Sequence, residues 1–417
     1  MITKKLIILF SFIGLIMSTS TRAQTCPDVP VITPVPDSVF LSLAPTPPMG
    51  WNSWNRFGCN VSEKLIMEMA DAMVSSGMKE AGYEYIVIDD CWQVGRDAKG
   101  NIIPNPKSFP KGMKFVADYI HNKGLKFGIY SCAGSATCQG KPGSRGYQFQ
   151  DARQYAEWGV DYLKYDWCSD KGQKAEAAYL TMSDAIKASG RPMLLSICEW
   201  GYSKPWKWGK GIGHLWRVSE DIRDYFENLL DWGGVGIMNI VDIMAPLHPY
   251  AGPGHWNDAE MLEVGNGGMT HTEYVTHFSM WAMFASPLMA GNDLRDMDRT
   301  THEILTNKEV ISVNQDKLGK QAIRFMDMGN HEIWVKPLAD NELAVCFLNR
   351  GDTTWDLDFD WKKEPMYFVR NINFRKNVYT IRDLWKHKTI STTNQNITAQ
   401  IPSHGVLMVR ISPINNK

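Results

Sequence analysis

From about Ala44 onward, short apolar runs alternate with amphipathic stretches along the chain. Gly50-Trp-Asn-Ser-Trp54 closes the first run. Ser62 is placed to cap a helix that carries Leu65, Met69 and Met73 at helical spacing and stops at Gly77. Tyr85 to Asp90 is the second run, and a helix over 111–122 ends before Gly124. Lys126 to Tyr130 follows, then Asp161 to Asp166, Met193 to Glu199, Leu215 to Asp221, His255 to Asp258 and Ser286 to Ala290. Strand alternating with helix predicts a parallel sheet with crossover helices. Eight such units in roughly 250 residues is the size of a (β/α)8 TIM barrel, so the fold class is α/β. A doubly wound open sheet ranks lower, because no glycine-rich phosphate loop follows the first strand. The connections after Glu199 and Asp221 read as irregular.

The period changes at about Ile323. Glu332 to Pro337, a turn at Asp340-Asn341, and Glu342 to Leu348 read as a hairpin. Trp355 to Trp361, Met366 to Phe374 and His404 to Ile411 continue in strand-like fashion. This predicts a small antiparallel β-sandwich that packs against the barrel. At the other end, Lys4 and Lys5 precede an apolar run from Leu6 to Met17 and a small residue at Ala23. The run is too short to span a bilayer and has the layout of a signal peptide. The expected organisation is therefore a signal peptide over 1–23, an extended lead-in over 24–44, a catalytic barrel over 45–320 and a β-domain over 321–417. The expected location is exported, periplasmic or secreted, with no membrane partner in the mature form.

Composition adds little to this pattern. The 417 residues are 44% hydrophobic and 21% charged with net charge −1, which gives no reason to expect nucleic acid as a partner. Export makes disulfides possible among the eight cysteines, whose pairing counting does not give. With no CxxC pair, no HxH or HExxH spacing, and His121, His214 and His255 dispersed, no metal or other cofactor is expected.

The polar residues fall where a barrel uses them. Trp54, Asp89, Asp90, Tyr130, Lys164, Asp166, Glu199, Arg217, Asp221 and Asp258 all stand at carboxyl ends of predicted strands, which converge on one mouth. Clustered carboxylates repel, so a fold tolerates them only with a ligand, a metal or shared protons. A sugar fits, and the tryptophans beside the acids (Trp51, Trp54, Trp92, Trp167, Trp200, Trp256) either offer faces for a pyranose ring or simply wall the barrel top. Glycoside hydrolysis needs one ionised and one protonated carboxyl group. Asp166 is the natural anion, since Lys164 lies on the same side of its strand and is expected to keep it ionised. Arg217 stands four residues before Asp221 and works against an acid role there, so Asp221, Glu199 and Asp258 all remain open as the acid.

Several stretches resemble glycoside hydrolase family 27, the α-galactosidase family, whose clan includes α-N-acetylgalactosaminidases. They are Pro48 to Trp54, Ile88 to Trp92, Gly128 to Tyr130, Tyr162 to Cys168, Cys198 to Trp200, Arg217 to Ile222, Trp256 to Asp258, Gly291 to Arg295 and Asn314 to Asp316. The resemblance implies a retaining exo-α-galactosidase that removes terminal α-galactose through a covalent intermediate. Asp166 would be the nucleophile and Asp221 the acid/base, about 5 to 5.5 Å apart. It further implies that Trp54, Asp89, Asp90, Tyr130, Lys164, Glu199 and Arg217 line the galactose site, and that Cys59 pairs with Cys91 and Cys138 with Cys168. Two departures stand out. Glu260 replaces the family's frequent aspartate, and Gly201-Tyr202 follows Trp200. Tyr202 is read as facing the C2 substituent, where its bulk favours a hydroxyl over an N-acetyl group. The competing readings are a β-L-arabinopyranosidase, an α-N-acetylgalactosaminidase, or a sugar-binding protein without catalysis.

Overall fold

A computed structural model describes residues 32–230, 233–363, 366 and 372–414. The signal-peptide segment, Cys26, and most of the strand expected over Met366 to Phe374 lie outside the described residues.

Eight parallel strands follow one another in chain order: β1 (Met49–Asn52), β2 (Tyr85–Ile88), β3 (Lys126–Cys132), β4 (Tyr162–Asp166), β5 (Leu194–Cys198), β6 (Leu215–Arg217), β7 (Trp256–Asp258) and β8 (Leu288–Ala290). Each pairs with the next as far as β7, and β8 returns to β1 with Met49 opposite Leu288. The ring closes through Leu262, just beyond β7. Its N–H donates to Met289 O at 2.8 Å and its carbonyl accepts from Gly291 N at 3.0 Å.

Strand parity explains the sorting of side chains. Leu163 and Tyr165 of β4 join the core under the helices, whereas Tyr162 joins Tyr85, Val87, Leu194, Leu215, Trp256 and Met289 in a separate inner cluster. The same inward parity carries Lys164 and Asp166 upward from Tyr162. Gly50 is required by this packing, since a Cβ there would stand 2.5 Å from Tyr85 O.

The helix capped by Ser62 spans Glu63–Ser75, and the one expected over 111–122 spans Gly112–Asn122. The two connections read as irregular are so. A short 3-10 turn (Pro205–Lys207) follows β5, and the described residues between Asp221 and the helix Ile237–Met244, 221–230 and 233–236, are irregular. Within its described residues, 32–44, the lead-in departs from the extended segment expected at one place. Asp37–Phe40 forms one helical turn, and Phe40 packs edge-on against His214 at 4.5 Å. Burying that ring supplies the driving force that an extended chain would lack.

The C-terminal strands are β9 (Ile323–Asp327), β10 (His331–Pro337), β11 (Leu343–Asn349), β12 (Trp355–Phe359), β13 (Tyr379–Asp383), β14 (Lys388–Thr392), β15 (Ile397–Ile401) and β16 (Val406–Pro413). Six form an antiparallel sheet in the order β9-β10-β11-β16-β13-β14, and β12 pairs with β15. Alternation again decides the faces. Ile333, Val335, Val345 and Phe347 pack into the sandwich core with Leu357 and Phe359. Trp334, Cys346 and Met408 face the barrel, where Trp334 meets Phe284 at 5.3 Å. The expected hairpin and its packing role are both present.

Candidate active site

The carboxyl ends of the strands bring the expected acids together. Asp89, one residue past β2, is 2% exposed. Its Oδ2 accepts from Lys164 Nζ and from Asn52 Nδ2, both at 2.8 Å. Asp90 is held by backbone: Cys91 N donates to Oδ1 at 2.7 Å and Gln139 N to Oδ2 at 3.0 Å. The loop supplying Gln139 is folded tightly onto the end of β4, since a Cβ at Gly134 would lie 1.9 Å from Cys168 O. The disulfides Cys59–Cys91 and Cys138–Cys168 flank these segments, while Cys132, Cys198 and Cys346 are buried free thiols.

Asp166 ends β4 and is almost wholly buried. Tyr130 OH donates to its Oδ2 and Trp167 N to its Oδ1, each at 2.8 Å. Burial pushes its carboxyl up to about 6; Lys164 opposes this and Asp221 adds to it. Lys164 is the largest influence favouring the Asp166 anion, as expected, but it acts through the field, because its short contact goes to Asp89. Burial works against the Lys164 ammonium, but Asp89 and the other anions of the mouth outweigh it and keep the group charged.

Arg217 is buried at the end of β6 and divides its guanidinium between two carboxylates. Its Nη2 lies 3.2 Å from Asp221 Oδ1 and its Nη1 3.1 Å from Glu260 Oε1. The Asp221 side chain is 43% exposed, open to the mouth from above. Burial raises its carboxyl, but Arg217, Lys164 and Arg223 outweigh burial and hold it below the usual aspartate range. Glu260 has a left-handed backbone, φ 82°, pinned on both sides. Its N–H donates to Asp258 Oδ1 at 2.9 Å, and its carbonyl accepts from Trp281 Nε1 at 2.7 Å. A cavity of about 20 Å³ at the floor of the mouth is lined by Asn52, Lys164, Ser196, Arg217, Asp258 and Glu260.

Glu199 is 1% exposed, and Ser203 donates to its Oε2 from both N and Oγ at 2.8 Å. Gly201 allows this turn, since a Cβ there would stand 2.3 Å from Val218 O. Tyr202 is not enclosed beside Glu199. It is 65% exposed at the rim, its ring edge-on to Trp200 at 5.7 Å. The bend through Trp200 and Gly201, both at positive φ, carries it outward. The tryptophans also divide. Trp51, Trp92 and Trp256 are fully buried, their indole N–H groups bonded to Asn292, Tyr130 and Ala44 carbonyls, so they wall the barrel and offer a sugar no face. Trp54, Trp167 and Trp200 keep partial exposure.

Among the described residues, the one group of His, Cys, Asp and Glu donor atoms close enough to share a metal is Cys138, Asp166 and Cys168, and its two sulfurs are joined in the disulfide. Also among those residues, no helix is long and apolar enough to cross a membrane. Residues that sequence reasoning passed over are Asn52, Ser203 and the backbone of Gln139. Only Asn52 carried a signal, being on β1 with inward parity.

The chain is similar to known proteins over nearly all of the described length. A family profile described as "Alpha galactosidase A" matches residues 46–316, and one described as "Alpha galactosidase C-terminal beta sandwich domain" matches 328–411. The chain is 54% identical to α-galactosidase A of Cellvibrio japonicus, over 90% of this chain and 94% of that one. It is 46% identical to an α-galactosidase of Cyamopsis tetragonoloba, over 89% and 87%. The crystal structure of α-galactosidase I from Mortierella vinacea superposes with a TM-score of 0.86 at 41% identity, covering 88% of this chain and 97% of that one.

Proposed function

The chain belongs to the α-galactosidase family of glycoside hydrolases, family 27, and from that premise we propose that Asp166 and Asp221 carry out a retaining double displacement on terminal, non-reducing α-galactose. The activity is that of an α-galactosidase. The observation that carries the residue assignment is the pair of donors on Asp166: Tyr130 OH and Trp167 N–H fix both oxygens while leaving lone pairs for attack.

In the first step an Asp166 oxygen bonds to the anomeric carbon, and Asp221 gives its proton to the departing glycosidic oxygen. In the second, Asp221 takes a proton from water, the water oxygen bonds to the anomeric carbon, and Asp166 leaves as a carboxylate. The free site prefers the opposite distribution, with Asp166 raised and Asp221 lowered. Sugar binding must therefore favour the proton on Asp221, and a hydroxyl engaging Arg217 would do so by loosening its hold on Asp221.

Lys164, Asp89 and Asp90 form the polar wall opposite, with acceptors for the hydroxyls of galactose. Tyr202, at the rim, is assigned to whatever is attached to the galactose, where an exposed ring can stack on a second sugar. The natural substrates are oligosaccharides or glycans ending in α-galactose. Export to the periplasm or medium is supported by the Lys4-Lys5 and Leu6–Met17 pattern and by two disulfides. The test is hydrolysis of an aryl α-galactoside followed by proton NMR. α-Galactose appearing first supports retention, and β-galactose appearing first would refute it.

A further inference from the structure

Glu260, buried beneath the rim and paired with Arg217, is a feature of the mouth that the double displacement does not use. The Arg217 guanidinium is a single fork facing two carboxylates, at 3.1 Å on Nη1 and 3.2 Å on Nη2. We propose that Glu260 is a positioning residue for the acid/base: by sharing Arg217 it keeps that cation from pairing fully with Asp221, and so leaves Asp221 able to carry the proton it delivers. The inference rests on the assignment of Asp221 as acid/base.

Two observations support it. The backbone of Glu260 is clamped by Asp258 Oδ1 and Trp281 Nε1, so the side chain is directed to Arg217. The charges facing Asp221 are otherwise unbalanced toward protonation loss. Arg217, Lys164 and Arg223 favour its anion; burial, Asp166, Glu220 and Glu260 oppose it. Of those anions, Glu260 is the one in contact with the same guanidinium. Neutralising it leaves the whole field of Arg217 on Asp221, which disfavours the proton there. Asp258 and Lys164 also face Glu260, whose carboxyl burial raises above the usual glutamate range while Arg217, in contact with it, favours the ionised form.

The experiment compares two α-galactosides in the full enzyme. One has an alcohol leaving group, methanol, which must be protonated to depart. The other has dinitrophenolate, which departs unprotonated. Glu260→Gln is expected to lose about tenfold more kcat/KM on the methyl than on the dinitrophenyl galactoside near neutral pH, the equivalent of about one pH unit in the acid form. The gap narrows as pH falls. Glu260→Asp, which keeps the charge, retains the wild-type ratio. Should Glu260→Gln not fold, Glu260→Ala measured with and without formate reads the same ratio, and formate restores it.

Equal loss on both substrates would overturn the proposal, as would the same selective loss in Glu260→Asp. Asp221→Ala separates the two readings. If it shows no selective loss, the acid/base assignment fails. If it does and Glu260→Gln does not, only the role of Glu260 fails.

Discussion

Lys164 Nζ stands 2.8 Å from Asp89 Oδ2, and this contact ties the strand that ends in Asp166 to the end of the second strand. The lysine thus serves two carboxylates unequally. It neutralises Asp89 by contact and Asp166 through the field. Removing it as Lys164→Met leaves Asp89 buried with Asn52 as its remaining side-chain donor. The expected cost is about 3–5 kcal/mol of folding stability, read by denaturant unfolding. In the same variant the Asp166 carboxyl rises further, so the acidic limb of kcat/KM should move to higher pH. An unchanged limb would show that Lys164 has no hold on Asp166.

Asp166→Asn is expected to abolish hydrolysis and yet stabilise the protein at neutral pH. The folded-state value, about 6, lies above the ordinary aspartate value of 3.8, so the folded state binds more protons between them. Stability associated with Asp166 is therefore full below the unfolded value and is lost as pH rises through the folded one. The gain on substitution is on the order of 2 kcal/mol at pH 7, after allowing for the hydrogen bond that the amide cannot accept. Melting temperature against pH checks this: the variant's advantage should disappear below about pH 4.

These pH effects depend on partners far apart in the chain, and this marks where the sequence was readable. All eight barrel strands were legible, because strands buried on both faces give dense apolar runs and their polar ends stand out. The Arg217–Asp221 contact was legible too, being four residues apart on one segment. Lys164 was assigned to its near neighbour Asp166, but its contact is with Asp89, 75 residues away. Closure through Leu262 and the grip of Gln139 on Asp90 are made by backbone groups, which every residue carries and no motif reveals. The tryptophans left two readings open for a related reason. Trp51, Trp92 and Trp256 adjoin strand-end residues in sequence but have opposite parity or sit deeper in the barrel.

Tyr202→Ala probes the rim. The exposed ring is expected to matter only when the leaving group offers a surface to stack on. Relative to wild type, kcat/KM should fall about fivefold to tenfold on an α-galactosyl disaccharide, in keeping with about 1 kcal/mol of stacking, and stay near wild type on methyl α-galactoside. Equal losses on both would return Tyr202 to the wall of the galactose site.

Exogenous azide separates the two carboxylates by stereochemistry. With Asp221→Ala, azide attacks the galactosyl-enzyme from the face that the leaving group vacated and gives α-galactosyl azide. With Asp166→Ala, it attacks an activated α-galactoside directly from the nucleophile's face and gives β-galactosyl azide. Proton NMR of the products distinguishes them, and an exchanged pattern would reverse the two roles.

The central claim is that Asp166 bonds to the sugar. An activated fluoro-galactoside that forms the intermediate faster than it breaks down should leave a single galactosyl ester, and peptide mass spectrometry locates it. The expected adduct is on Asp166, within Tyr162–Asp166. An adduct on Asp221, Glu199 or Asp258, or hydrolysis with inversion and no adduct, would contradict the account.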